Sequence, residues 1–277
     1  MLNSCEAILP HLHIRQNRLQ FCPGCCQQKE RLVQRDLMQL YLIRHGQSEN
    51  NQLFEYTGSS LGRSPDPELT TVGRQQAALV AGFLQHSDPT FANQAHDPQN
   101  VAGFDITHVY CSLMVRAVAT GVIIAHALGL PLVGLRDAHE TTGIYMKDPE
   151  TGVLTGLPGK TREYFAAHYP DLILPDDVDN KGWWNRPVEE DVEIPPRAQR
   201  LFDLLLSRHS ETEDHIALVT HGGFYSYLLA AILGQPLGPC CRFVMNNAGI
   251  TRIDCAPNRI RVIYMNRVDF LPRALIT

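Results

Sequence analysis

Two histidines in this chain occur in closely similar settings. Arg44-His45-Gly46 follows the apolar run Leu40 to Ile43, and Thr220-His221-Gly222-Gly223 follows Ile216 to Val219. Each run reads as a buried strand ending in an imidazole and a glycine, and the carboxyl ends of strands are where α/β sheets bind ligands. Between them lies Arg116, within Ser112-Leu113-Met114-Val115-Arg116-Ala117-Val118-Ala119-Thr120, near the predicted start of a helix that runs to Gly129. Free backbone N–H groups and the positive dipole end favour an anion there, and a guanidinium adds a planar, permanently charged fork.

The anion such a set suits is a phosphomonoester. Its transfer needs charge neutralisation on the non-bridging oxygens, an aligned nucleophile and protonation of the leaving alkoxide. Arg44, Arg116 and a protonated His221 would supply the first, with Asn51 adding a neutral donor from the loop after Gly46. Neutral His45 would supply the second, attacking phosphorus to give a phosphohistidine that water then cleaves. For the third, two carboxylates compete, Asp137 and Glu140, both just after a predicted strand from Leu132 to Leu135. The scheme requires no metal or other cofactor.

These groups need a scaffold that converges several strand ends. After the first strand comes a Gly/Ser/Pro-rich loop from Thr57 to Pro67, then a helix with Thr70 as N-cap and Ala77, Val80, Ala81 and Leu84 on one face. Gln85 to Gly103 reads as a surface connection and Ile106 to Cys111 as a second strand. Pro195-Pro196 opens a helix through Arg208 with Leu201, Leu204 and Leu205 as its stripe. A helix from Phe224 to Leu233 follows His221, and Gly249 to Cys255 with Arg259 to Asn266 forms a hairpin about Ala256-Pro257-Asn258. Residues 140–194 show no strong helix or strand pattern and read as an inserted cap or lid. That insertion brings Lys147, Lys160, Arg162, Lys181 and Arg186, candidates for a second anionic group on the substrate, and Trp183-Trp184, which either wall the pocket or anchor the insertion.

Composition bounds the rest. With 277 residues, 44% hydrophobic, 19% charged and a net charge of −5, the chain carries no global field for nucleic acid or an anionic membrane, so any anion must be met by a local cluster. Its longest apolar runs fall short of the ~20 residues of a membrane span, and we read it as cytoplasmic. Eight cysteines include the vicinal pairs Cys25-Cys26 and Cys240-Cys241, which do not resemble a secreted disulfide framework. Residues 1–37 read as an extension, either poorly ordered or a weak zinc knuckle built on Cys22-Pro23-Gly24-Cys25 with Cys5, His11 or His13. The catalytic domain spans residues 38–277, and chemistry needs nothing before Met38.

Taken in order, the motifs resemble the histidine phosphatase superfamily, also called phosphoglycerate mutase-like. Arg44-His45-Gly46 resembles its signature, Leu69-Thr70-Thr71-Val72-Gly73-Arg74-Gln75-Gln76-Ala77 its helix start, Ser112-x-x-x-Arg116-Ala117-x-x-Thr120 its second signature, and Thr220-His221-Gly222 its second histidine. The resemblance covers residues 38–269. It implies a three-layer α/β fold with a mostly parallel central sheet, helices on both faces and an inserted cap. It also implies an acid after the third strand, and His139-Glu140-x-x-Gly143-x-Tyr145 resembles one branch, which favours Glu140 over Asp137. The function so implied is a phosphatase acting on a small phosphorylated metabolite, with no nucleic-acid or membrane partner. A mutase reading is disfavoured, because the insertion lacks the mutases' Pro-rich substrate segment and only Phe270 to Thr277 follow Asp269. A non-catalytic phosphate-binding protein on the same fold has no mechanistic need for Arg44, His45, Arg116 and His221 together.

Overall fold

The computed structural model describes residues 38–88, 90–91, 97–238, 241–256 and 259–277. The expectations for residues 1–37, including the zinc knuckle, and for Cys240 and Pro257-Asn258 lie outside the described residues. The first strand, β1 (Met38–Arg44), is flanked on one side by β7 (His215–Thr220) and on the other by β8 (Ile250–Ala256). Beyond β7 lie β2 (His108–Ser112), β3 (Leu132–Leu135) and β6 (Leu172–Ile173), all paired in parallel, while β8 and β9 (Arg259–Arg267) pair antiparallel at the other edge. Among the described residues the central sheet is therefore mostly parallel and has seven strands.

Both faces of this sheet are covered, which is why its inner strands read as near-continuous apolar runs. Met38, Leu40 and Leu42 of β1 face α5 (Ile194–His209) and α6 (Gly222–Ile232); Tyr41 and Ile43 face α2 (Thr71–Gln85) and α3 (Val115–Leu128). The period-2 alternation of one strand thus feeds two cores. Thr70 caps α2 by accepting the Gly73 N–H at 3.0 Å.

Two regions depart from the sequence reading. Residues after Gly46 form a helix, α1 (Glu49–Thr57), instead of running directly into loop, so Asn51 sits in its first turn. This helix buries none of its side chains and so carries no amphipathic signal; a reciprocal cap between Ser48 and Asn51 starts it. The insertion is also more regular than expected. It holds a hairpin of β4 (Tyr145–Lys147) and β5 (Leu154–Gly156), the short helix α4 (Arg162–His168), and β6, which extends the central sheet by pairing with Leu132 and Val133. Elements of two to seven residues are too short for periodicity to reveal. Trp183 and Trp184 are buried and join the core, so they anchor the insertion. Gly143 and Gly159, both at positive φ, pack directly on their indoles.

Candidate active site

Strand pairing brings the two histidines together. Arg44 is in register with Thr220 across β1 and β7, so the residues that follow, His45 and His221, emerge side by side at the carboxyl edge with ring centroids 5.0 Å apart. The loop between β1 and α1 is held backbone to backbone against α2: a Cβ on Gly46 would collide with the Gly73 carbonyl, and one on Gly73 with Gln47. Thr120 of α3 accepts the Gly46 N–H at 3.1 Å and Gln76 of α2 the Gln47 N–H at 2.7 Å.

The hydrogen bonds of His45 assign its tautomer. Its Nδ1 lies 2.7 Å from the Gly46 carbonyl, which can only accept, so Nδ1 carries the proton and Nε2 the lone pair. That lone pair accepts from Arg116 Nε at 3.1 Å. Burial, then Arg116, then Arg44 hold the imidazole well below its ordinary value, so it is neutral through the physiological range.

His221 corrects an expectation. Burial, followed by Arg116 and His45, holds it well below the usual histidine value, so with only the protein's own charges around it His221 is neutral, not a cation. Ser112 Oγ accepts the Met114 N–H at 3.2 Å and lies 2.8 Å from His221 Nε2; we assign the Ser112 hydroxyl as the donor to that nitrogen, the tautomer that puts the imidazole proton on Nδ1. The remaining Nδ1–H is buried and has no partner among the described residues. Arg44 Nε is in the same condition, although Arg44 Nη1 donates to the Met245 carbonyl at 2.5 Å. Arg63 Nη1 is a third such donor, on a guanidinium stacked 4.0 Å above the Tyr145 ring. Buried donors without acceptors are costly, and an anion entering between Arg44, His221 and Arg63 would satisfy these three.

The two carboxylates proposed as acids separate clearly. Asp137 pairs at the surface with Arg200 of α5 at 3.4 Å. Glu140 instead caps α6: its Oε1 accepts from Phe224 N (2.7 Å) and Thr141 N (2.9 Å), and its Oε2 from Gly223 N (3.1 Å). A Cβ on Gly223 would press on the Glu140 carboxylate. Glu140 is near enough to act on the charge of both Arg44 and Arg116. Asn51 uses its oxygen for the Ser48 backbone (3.1 Å) and hydroxyl (2.9 Å) and for Asn247 Nδ2 (3.3 Å), which leaves its own amide N–H groups to meet an anion.

The Glu140 cradle has its own support. Arg197 of α5, 2% exposed, grips Glu189 with Nε and Nη2, while its Nη1 donates to the carbonyls of Asp137 (2.7 Å) and His139 (2.9 Å). Its guanidinium also lies 3.9 Å over Phe224, so one buried ion pair fixes both segments that hold Glu140. Glu189→Ala leaves that guanidinium buried and unpaired; the expected result is a loss of about 3–5 kcal/mol in chemical denaturation.

Sequence reasoning missed Asp66, in the loop before α2. Its Oδ1 accepts the Val115 N–H at 3.0 Å and lies 3.8 Å from Arg116 Nη1. An acid surrounded by Ser, Pro and Gly was the available sign, but its partners lie about fifty residues downstream. Among the insertion's cations, Arg162 is taken up by the carbonyls of Val178 and Pro175 and Arg186 by Glu193, whereas Lys147 lines a cleft of about 590 Å³ with Leu61, Arg63 and Met146. Of the described residues, His108, His209 and Asp214 form a group spaced for metal binding, but it lies at the amino ends of β2 and β7, where Tyr110 (3.0 Å) and Asp214 (2.8 Å) already engage His209.

A mostly parallel sheet whose carboxyl edge gathers two buried histidines, the buried Arg116 and the half-buried Arg44 defines the class. The chain belongs to the histidine phosphatase superfamily (branch 1), whose family model matches residues 40–268. It is 27% identical over 220 residues to the "Probable phosphoglycerate mutase GpmB" of Proteus mirabilis, covering 79% of this chain and 85% of that protein. The Yersinia pestis protein of the same name is 26% identical over 228 residues, with the same coverage. Among solved structures, the mycobacterial glucosyl-3-phosphoglycerate phosphatase shares the fold with a TM-score of 0.52 at 20% identity, over 84% of this chain and all (100%) of that one. The alpha-ribazole phosphatase of Shigella flexneri does so with a TM-score of 0.53 at 20% identity, over 83% and 96% of the two chains. Among the described residues, no helix is long and apolar enough to cross a membrane.

Proposed function

We propose that the protein is a metal-independent phosphomonoester hydrolase that passes the phosphoryl group of a small phosphorylated metabolite through His45. The observation that carries this reading is the set of buried, unpartnered donors, Arg44 Nε and His221 Nδ1, beside a histidine whose Nε2 carries a lone pair. In the cycle, the non-bridging oxygens take up Arg44, Arg116, His221 and the Asn51 amide. His45 Nε2 attacks phosphorus as Arg116 turns from the lone pair to the incoming oxygens, and Glu140, which enters the bound state as the protonated carboxylic acid, gives its proton to the departing alkoxide. Glu140, now a carboxylate, removes a proton from the water that cleaves the phosphohistidine, and phosphate leaves. As the dianion enters, its charge opposes the effect of Arg116 on His221, so the bound state is where His221 gains a proton. The cleft beside Lys147 and Arg63 offers room for the alcohol part of the substrate.

Relatives named as phosphoglycerate mutases favour a second reading, in which the phosphoryl group returns to bound substrate. One assay separates the two: phosphate release and 3-phosphoglycerate isomerisation, followed together in excess chelator. The hydrolase reading expects net phosphate release that survives the chelator; isomerisation without release supports the mutase. The rate should follow a bell-shaped profile with its optimum on the acid side of neutral. Because folding lowers the His45 value, the nucleophile loses its proton below the reference of about 6.5, so the acid limb falls below that pH. A rate rising steadily into alkali would point to a metal hydroxide instead.

A further inference from the structure

Asp66 is the one carboxylate beside Arg116 that the cycle above leaves without a task. Its side chain is 7% exposed, Oδ1 holds the first N–H of α3, and Oδ2 has no partner among the described residues. The titratable and charged groups facing it are Arg116 with the Val115 N–H from α3, Lys160, Tyr164 and Tyr169 from the insertion, and Glu68 from its own loop. Burial pushes Asp66 up to about 6, even though Arg116, the Val115 N–H and Lys160 pull the other way. This raised acid lies 3.8 Å from a guanidinium that an incoming anion would claim.

We infer that Asp66 is the resident counter-ion of Arg116, and that when a phosphoryl dianion takes over Arg116, Asp66 takes up a proton from solvent. This rests on Arg116 being part of the phosphate pocket. Before binding, the buried guanidinium is balanced by Asp66 and donates to His45 Nε2. After binding, an ionised Asp66 would face a dianion across the same guanidinium, in a setting that screens like charges poorly. Neutralising Asp66 removes that repulsion, and one N–H bond from Val115 keeps the side chain in place. When the proton is lost again, Asp66 competes for Arg116 and favours release of the anion. Asp66 is a positioning residue, acting on phosphate only through Arg116.

The test is calorimetric titration with sulfate, an anion that does not itself titrate near neutrality, in two buffers of different ionisation enthalpy. Wild type is compared with Asp66→Asn over roughly pH 5 to 8. Asparagine keeps an acceptor for the Val115 N–H and places its amide on the unpartnered side. Wild-type binding should take up protons near neutral pH, and its affinity should fall as pH rises past about 6. In Asp66→Asn the uptake should drop, and sulfate should bind about threefold to tenfold more tightly at the alkaline end. His45 and His221 can also take up protons as a dianion enters, so the difference between the two proteins is what reports Asp66. Equal uptake and equal affinity in both proteins would overturn the proposal and leave the linkage to the histidines. If the variant does not fold, a wild-type affinity that is flat above about 6 overturns it alone. If neither sulfate nor phosphate binds the wild type, the phosphate pocket itself falls, a failure distinct from the first.

Discussion

His45→Ala is expected to lower phosphate release on the order of 10⁴-fold or more in kcat if His45 is the nucleophile. The size follows from the role: without Nε2 there is no atom to form the covalent intermediate, and water must attack phosphorus directly. Binding should survive. His45 makes its Nδ1 bond to the adjacent Gly46 carbonyl, so removing the ring severs one long-range side-chain hydrogen bond, the donor from Arg116 Nε, and the ring contact with His221. Arg44, Arg116, His221 and Asn51 remain to hold an anion. Sulfate affinity in the variant should therefore stay within about tenfold of wild type while turnover disappears. A variant that loses both together would indicate that His45 is part of the pocket's architecture and not its nucleophile.

Glu140→Gln is expected to slow hydrolysis of alkyl phosphates by about 10² to 10⁴, the usual range for losing a positioned acid. The diagnostic is the dependence on the leaving group. An aryl phosphate departs without much help from a proton, so its phosphorylation step should recover most of the deficit, leaving the slow cleavage of the phosphohistidine to dominate. Steady-state rates with alkyl and aryl substrates, and a burst of aryl alcohol with the latter, read these two steps separately. Asp137→Asn should leave rates within about twofold, because its partner is the exposed Arg200 and surface pairs of this kind contribute little. A large effect at Asp137 with none at Glu140 would reverse the assignment.

The difference between these two carboxylates shows where the sequence was legible and where it was not. Strand ends were legible: Leu40 to Ile43 and Ile216 to Val219 are apolar because both sheet faces are buried, and the polar residue that breaks each run marks the carboxyl edge. Arg116 could be placed because helix starts are written locally. Direction was not legible. Asp137 and Glu140 follow the same strand, and the 3₁₀ turn at Arg136–Ala138, held by Arg197 from α5, determines which faces Arg44 and Arg116. Charge state was not legible either. The neutrality of His221 comes from burial under elements distant in the chain, and the approach of Asp66 to Arg116 comes from a loop meeting a helix. Helix α1 and strand β6 escaped for a simpler reason: the first buries nothing and the second is two residues long.

The most direct test of the account is to trap the intermediate. Wild type and His45→Ala would be mixed with an aryl phosphate, quenched within a single turnover in alkaline denaturant, where phosphohistidine survives, and mapped by mass spectrometry. The account predicts one added phosphoryl group on the wild-type peptide containing His45, and none in the variant. Turnover without a covalent phosphoryl group on His45, or release that persists in His45→Ala, would contradict it.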